Sequence, residues 1–374
     1  MAGTSKRRRA RVRYAVVGAG NIAQEAVLPG FKGAARNSEL VALVSSDEKK
    51  RQVLGRRYGL EQVGDYDAFE DVLRDSAADA VYIATPNTEH RDFTERAAAA
   101  GVHVLCEKPM AASSVDCLAM MEATATAGVR LMIAYRLHFE EANLKALKLV
   151  RSGRLGRLVF FEGMLTHQVR GGDIRTRAET GGGTLLDAGI YPINAARALF
   201  GEEPVEVVGR TIVDPDQRFE GGVDATAMAV LSFPGGGIAS IASSQAASSA
   251  SYFRLVGEKA SLEVDPAFGY ATERRHRLTI GKKTTERTFP KVDQFGAEIL
   301  YFSRCILENR EPEPAGLEGL ADVQVIEAIL ESAAKGRTVR IERMEKPRGP
   351  RPEQKISLPP VHPPPLVDAP SPKQ

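Results

Sequence analysis

Three cysteines, Cys106, Cys117 and Cys305, are all that 374 residues contain, and no two stand in a C-x-x-C pair. That excludes a disulfide framework and suits a reducing compartment. Cys106 reads as a buried strand residue. The six histidines show no H-E-x-x-H and no clustering with cysteine at metal-ligand spacing, so no metal site is expected. There is no G-x-S-x-G nucleophile elbow. No apolar run is long enough to span a bilayer. Neither sign of charge dominates: 50 Lys and Arg face 48 Asp and Glu, a net charge of +2. A near-neutral chain gives no global reason to bind nucleic acid or a membrane surface. No internal repeat is visible.

What is present is ample hydrophobic content, 43%, in a chain long enough for about two domains. The first twelve residues are basic, with Lys6, Arg7, Arg8, Arg9 and Arg11. A twin-arginine export signal needs an apolar segment and a cleavage site, and here a strand pattern begins at once. A flexible arm is the better reading. At the other end, residues 345–374 hold ten of the 21 prolines. Such a segment favours extended polyproline conformations. It is read as a disordered tail or as a strap lying over another subunit.

Between these ends the pattern changes once. Residues 13–136 alternate apolar strands with helices, which implies a parallel sheet with right-handed crossovers. Residues 137–344 open with a linking helix and continue in β-rich runs at 158–165, 205–213, 224–233 and 237–244. Strands without intervening helices imply a mostly antiparallel sheet. Two late helices are expected at 295–308 and 319–334.

The strand Arg13–Val17 runs into Gly18-Ala19-Gly20-Asn21-Ile22-Ala23, a G-x-G-x-x-A turn opening a helix. Gly18 permits the tight turn, Gly20 lets a pyrophosphate approach the backbone, and Ala23 allows close helix–strand packing. The helix N-terminus supplies free N–H groups for the phosphates. The next strand, Leu40–Val44, ends in Ser45 and Ser46, where an NAD site would place an acid against the ribose. Asp47 comes late, followed by Lys49, Lys50 and Arg51. Hydroxyls and cations suit a 2′-phosphate, so NADP is expected, with Ser45, Ser46 and Lys50 as its contacts. NAD is possible if Asp47 turns inward.

The most informative stretch is Val102 to Pro109, a buried strand ending in Glu107-Lys108-Pro109. The carboxyl ends of parallel strands face the ligand crevice. A lysine held extended by the following proline can reach cofactor and substrate together. A second constellation follows Gly181-Gly182-Gly183, where Asp187 and Tyr191 stand four apart and share a helix face. A phenol beside a lysine and a carboxylate can relay a proton. Lys108, Tyr191 and Asp187 are therefore the catalytic candidates. Thr85-Pro86-Asn87, with His90, lies at another strand end where a nicotinamide could sit. Arg136 and His138 follow the strand ending at Tyr135, on the substrate side. His138 reads equally as a structural histidine.

Together these residues resemble the Gfo/Idh/MocA oxidoreductases, the family of glucose-fructose oxidoreductase and inositol dehydrogenase. The resemblance runs from about Arg13 to Arg340. Its carriers are Gly18 to Ile22, Thr85-Pro86-Asn87, Glu107-Lys108-Pro109 and the helix from Asp187 to Tyr191. Tyrosine at 191, where many members have histidine, is similar to the glucose-fructose oxidoreductase branch. So are the residues from Ala134 to Phe139 and from Leu28 to Phe31. The resemblance implies an α/β chain: an N-terminal Rossmann domain and a C-terminal α/β domain with a large, mostly antiparallel, open-faced sheet. It also implies that Gly18, Gly20, Asn21, Ile22, Thr85, Pro86, Asn87, His90, Glu107, Lys108 and Arg136 surround the cofactor.

The expected activity is hydride transfer between a nicotinamide and a sugar, at C1 of an aldose. An NAD-dependent polyol or inositol-type dehydrogenase and a catalytically silent sugar sensor are the alternatives. The partners expected are a sugar or polyol and a second copy of the chain, as homodimer or homotetramer, through the open sheet face. A cytoplasmic location is expected. Periplasmic export is the alternative, since that branch carries an obvious export signal and this chain does not.

Overall fold

A computed structural model describes residues 11–214, 218–342 and 349–372. The basic arm lies outside the described residues except for its last two. The first sheet is entirely parallel. It comprises β1 (Val12–Val17), β2 (Ser38–Val44), β3 (Gln62–Gly64), β4 (Ala80–Ile83), β5 (His103–Cys106) and β6 (Leu131–Ile133), in the order 3-2-1-4-5-6. All four residues of β4 are buried. A parallel sheet covered by helices on both faces requires such continuous apolar strands. The crossovers include α1 (Leu28–Ala34), α2 (Glu48–Tyr58), α3 (Phe69–Asp75), α4 (His90–Ala99) and α5 (Ser114–Thr126). The order reverses between β1 and β4, and a ligand crevice opens at their carboxyl ends.

A linking helix, α6 (Glu141–Arg151), leads to β7 (Leu158–Thr166). Then come α7 (Ile190–Phe200), β8 (Glu206–Ile212), β9 (Thr226–Ser232), β10 (Ile238–Ser244), β11 (Ala250–Gly257), β12 (Ala260–Val264), β13 (Arg274–Ile280) and β14 (Lys283–Phe289). The nine-stranded sheet has the order 14-13-12-11-7-10-9-8-15, with β15 at Val339–Arg340. All its pairings are antiparallel except that of β7 with β10. Burial alternates along β9, with Ala227, Ala229 and Leu231 inward and Met228 and Val230 outward. One face therefore packs and the other is open. β10 divides in the same way: Ile238 is exposed and Ile241 is buried.

Helix α9 (Gly316–Lys335) covers the inner face, and α8 (Gln294–Leu307) returns to the first sheet. There the Tyr14 hydroxyl and Ser303 Oγ share a hydrogen bond of 2.8 Å. Helix α9 lies so close to β8 that a Cβ on Gly209 would overlap the Ile329 carbonyl.

The proline-rich tail departs from its expectation. Its described part, 349–372, is fixed against its own chain. Asp293 N–H donates to the Leu358 carbonyl at 3.1 Å, and Gln354 Nε2 donates to the Glu313 carbonyl at 2.9 Å. Backbone carbonyls of the same chain accept both bonds, and Ile356 and Leu358 pack on its core, so the described part of the tail docks in cis.

Candidate active site

The glycine turn follows β1 without interruption. Gly18 has φ +93°, and a Cβ there would overlap the Ala84 carbonyl and stand 2.9 Å from Thr85 N. Only glycine fits. A Cβ on Gly20, by contrast, would meet nothing within 4 Å. That open space beside a helix start is what a pyrophosphate needs. Thr85 Oγ1, at the end of β4, is buried without a hydrogen-bond partner. These features fit a dinucleotide.

At the end of β2, Asp47 is engaged in local capping. Asp47 caps α2, accepting from Lys50 N–H at 3.0 Å. Its carboxylate also lies 3.8 Å from Lys50 Nζ. Ser45 is buried at the strand end, and its carbonyl accepts from Arg51 Nη1 at 2.5 Å. Arg51 thus buttresses the turn that presents Ser45, Ser46 and Lys50.

The catalytic candidates converge. Lys108 Nζ donates to the Asp187 carbonyl at 3.0 Å and lies 3.4 Å from Asp187 Oδ1. It also sits 4.8 Å from the centre of the Tyr191 ring, and Arg136 Cζ lies 4.9 Å from the same centre. Two cations therefore flank one phenol ring. Burial opposes the Lys108 charge, but Tyr191, Asp187 and Glu107 around it hold its pKa above the ordinary lysine value. Burial likewise works against ionised Asp187, yet Lys108, Arg175 and His167 outweigh it and hold the carboxyl well below its usual range.

Sequence reasoning missed the rest of that shell. Gln245 Nε2 donates to Asp187 Oδ2 at 2.9 Å, His167 Nε2 lies 3.6 Å from the same oxygen, and Arg175 Nε lies 3.3 Å from Oδ1. A signal existed for two of them. His167 follows β7 and Gln245 follows β10, and these parallel neighbours end at one edge. Arg175 comes from a loop with no motif. The glycine run has a local cause: a Cβ on Gly183, φ +115°, would overlap the Asp224 carboxylate, which accepts from Leu185 N–H at 2.8 Å. Asp224 thereby fixes the start of the wide helical turn Leu185–Gly189 that presents Asp187.

Several cofactor candidates have other partners. His90 is buried, with Nδ1 3.0 Å from the Pro109 carbonyl and Nε2 3.1 Å from the Thr85 carbonyl. It lies between the carbonyls of two crevice loops, and as a neutral imidazole its single N–H donates to one of them at a time. Burial keeps its pKa below the usual histidine value. Glu107 turns into the interior, where Tyr82 OH stands 2.8 Å from Glu107 Oε1 and 2.9 Å from Glu298 Oε1. Burial pushes both carboxyls up, and the charge of Glu107 pushes Glu298 further. Glu107 thus supports the turn from below. Arg136 is buried against the Phe268 carbonyl, at 2.6 Å, and the Gln294 side chain. Asn87 Nδ2 donates to the Gly181 carbonyl at 2.7 Å, tying the two halves together. Ile22 packs on the core, and Asn21 Nδ2 donates to Ala369 of the tail. Pro86 precedes the short turn Asn87–Glu89.

Two family models match: an oxidoreductase family with an NAD-binding Rossmann fold over residues 12–135, and a GFO/IDH/MocA C-terminal domain over residues 143–263. The chain belongs to the Gfo/Idh/MocA oxidoreductase family. A D-xylose 1-dehydrogenase [NADP(+)] of Haloarcula marismortui is 34% identical over 338 residues, 88% of this chain and 93% of that one. The crystal structure of aldose-aldose oxidoreductase from Caulobacter crescentus, complexed with glycerol, superposes with a TM-score of 0.84 at 38% identity. The match covers 88% of this chain and all of that one. A 3-ketoreductase from Actinomadura kijaniata, in complex with NADP and TDP-benzene, gives 0.79 at 25% identity over 86% and 98%.

Proposed function

We propose that this protein oxidises and reduces sugars with NADP, moving a hydride to or from the anomeric carbon of an aldose. The observation that carries the reading is Lys108, which grips Asp187 and lies against Tyr191 at the crevice beside the glycine turn. Relatives named for xylose and aldose chemistry support the substrate class.

Gly18, Gly20 and Asn21 would hold the pyrophosphate, and Ser45, Ser46 and Lys50 the 2′-phosphate. Capping of α2 occupies Asp47, which favours NADP over NAD. When bound, the nicotinamide supplies a hydride acceptor or donor. Tyr191 takes the proton of the sugar hydroxyl during oxidation and returns it during reduction. Lys108 and Arg136 flank the negative charge of the Tyr191 phenolate that takes the proton in oxidation and that return of the proton leaves behind in reduction. Asp187, kept ionised, accepts hydrogen bonds from the sugar and does not itself donate a proton. Tyr191→Phe should lower the single-turnover hydride-transfer rate at least about 100-fold. An unchanged rate would remove Tyr191 from the mechanism.

A second reading, hydride exchange between two sugars on one retained cofactor, is favoured by the likeness to the aldose-aldose oxidoreductase. Product analysis with paired sugars separates it from release of NADPH. The open face of the second sheet, where Met228 is 57% and Ile212 62% exposed, supports face-to-face association of two copies. Sedimentation of Met228→Asp against the unmodified chain tests this. Three free, buried cysteines accord with a reducing cytoplasm.

A further inference from the structure

The carboxyl-terminal tail reaches the glycine turn. From Pro359 to Pro365 it runs along the surface largely exposed. It then fastens at five places within eight residues. Arg57 Nη1 donates to the Pro365 carbonyl at 2.9 Å. The Gln24 side chain pairs with the Val367 backbone in both directions, Nε2 to the carbonyl at 2.9 Å and Val367 N–H to Oε1 at 2.8 Å. Lys49 Nζ lies 2.9 Å from the Asp368 carboxylate. Asn21 Nδ2 donates to the Ala369 carbonyl at 3.2 Å. Arg170 N–H donates to the Pro372 carbonyl at 3.0 Å.

Val367 and Ala369 are buried, and Asp368 between them has φ +43°. A non-glycine residue enters that region at a cost and persists there only where its surroundings hold it. Here the Gln24 clasp holds one side of the corner and Asn21 the other. The tail therefore has a specified docked path.

The partners map the path onto the crevice. Lys49 stands in the first turn of α2, beside the expected 2′-phosphate contacts. Asn21 and Gln24 follow Gly20. Arg170 belongs to the loop after β7, on the second sheet. Residues 367–372 thus pass from the ribose side, across the pyrophosphate turn, to the substrate half. The contacts at Asn21, Lys49 and Arg170 fix both ends of that crossing. Beneath them the space in front of Gly20 stays open. No atom of the described tail comes within 4 Å of a Cβ built on Gly20, so the segment leaves that position open.

We infer that residues 365–372 form the outer wall of the dinucleotide groove and retain the cofactor, which leaves only when this strap lifts. The inference rests on reading the groove as an NADP site. To test it, the exposed stretch 359–364 is replaced in the full chain by a protease site of equal length. The protein is folded, loaded with NADPH and cut. Dissociation is followed by the fluorescence of bound NADPH after a chase with excess NADP. Cutting should speed release at least roughly tenfold, the equivalent of one net hydrogen bond. Val367→Asp, which places a charge where the strap is buried, should do the same uncut, covering the case in which a cut strap stays docked. Equal release from the intact, cut and Val367→Asp proteins overturns the strap and leaves the cofactor site standing. Failure of the intact protein to bind NADPH at all overturns the cofactor reading, and the strap with it.

Discussion

The two ends of the crevice are built on different principles. At the proposed cofactor end the pyrophosphate surface is backbone, supplied by the turn from Gly18 to Ala23. At the proposed sugar end it is side chains: Lys108, His167, Arg175, Asp187, Tyr191 and Gln245, gathered from three strand ends, a loop and a helix. The first needs residues without side chains. The second needs specific side chains whose charges balance one another. A backbone site fails when atoms are added; a side-chain site fails when charges are removed.

The sharpest way to break this comparison is Gly20→Val. No atom lies within 4 Å of the added Cβ, so the fold should tolerate it. The new methyls would fill the space for the pyrophosphate. NADP affinity should fall about 100-fold or more, equivalent to about 3 kcal/mol, with an unchanged melting temperature. Calorimetric titration and a thermal melt together check this. Gly18→Ala should instead lose stability and binding together, because its Cβ meets the Ala84 backbone at positive φ. Similar behaviour of the two variants would remove the distinction between cradle and support.

The second expected effect falls at the other end. Asp187→Asn removes the charge that Lys108, Arg175 and His167 surround, while keeping the side-chain shape. The turnover rate should drop about 10- to 100-fold with NADP affinity changed by less than about twofold. A loss of cofactor binding equal to the loss of rate would show that the two ends are not separable. The pH dependence has a definite sign. Asp187 in the folded state lies well below the ordinary carboxyl value. Its stabilisation is therefore complete above about pH 4 and is lost only in stronger acid. Acid unfolding of the unmodified protein should be steeper than that of Asp187→Asn in that range.

This difference also explains what could be read from the residues alone. The parallel character of the first sheet and the glycine turn follow from the alternation of strand with helix and from the glycines themselves, whereas the strand order, and the burial of Ala227, Ala229 and Leu231 beside exposed Met228 and Val230, come from packing between segments. Glu107-Lys108-Pro109 and Asp187-x-x-x-Tyr191 are short patterns, and the structure brings Lys108, Asp187 and Tyr191 together. Arg175 and the capping of Leu185 by Asp224 depend on contacts between distant segments, which no period or spacing encodes. The path of the tail was hidden for the same reason. Its prolines announce an extended chain, but Asn21 and Gln24, which hold it, read as ordinary residues of a helix start. What His90 meets could not be read from its place after β4. Its two carbonyl partners are set by the loops around it.

The smallest effect expected lies away from both ends and asks whether the frame beneath the sugar site titrates by itself. His138 is buried with Nδ1 3.0 Å from Glu313 Oε1 and Nε2 2.9 Å from Asn194 Oδ1. Two acceptors satisfy an imidazolium, which donates from both nitrogens. Burial opposes the charge, but Glu313, with further support from Glu318 and Asn194, pushes the pKa up to about 9. A folded value above the unfolded one, about 6.5, gives stabilisation that is complete below about pH 6.5. It is lost as pH rises through about 9. The whole shift would correspond to roughly 3 kcal/mol, and partial exposure of Glu313 reduces the expected share to about 1–2 kcal/mol. The melting temperature should therefore decline between pH 6.5 and 9.5, and His138→Gln should flatten that decline. Affinity for NADP should stay the same in both proteins, since His138 touches neither the glycine turn nor the strap. Parallel pH curves for the two proteins would show that His138 is neutral in the folded state and that its two bonds are ordinary ones.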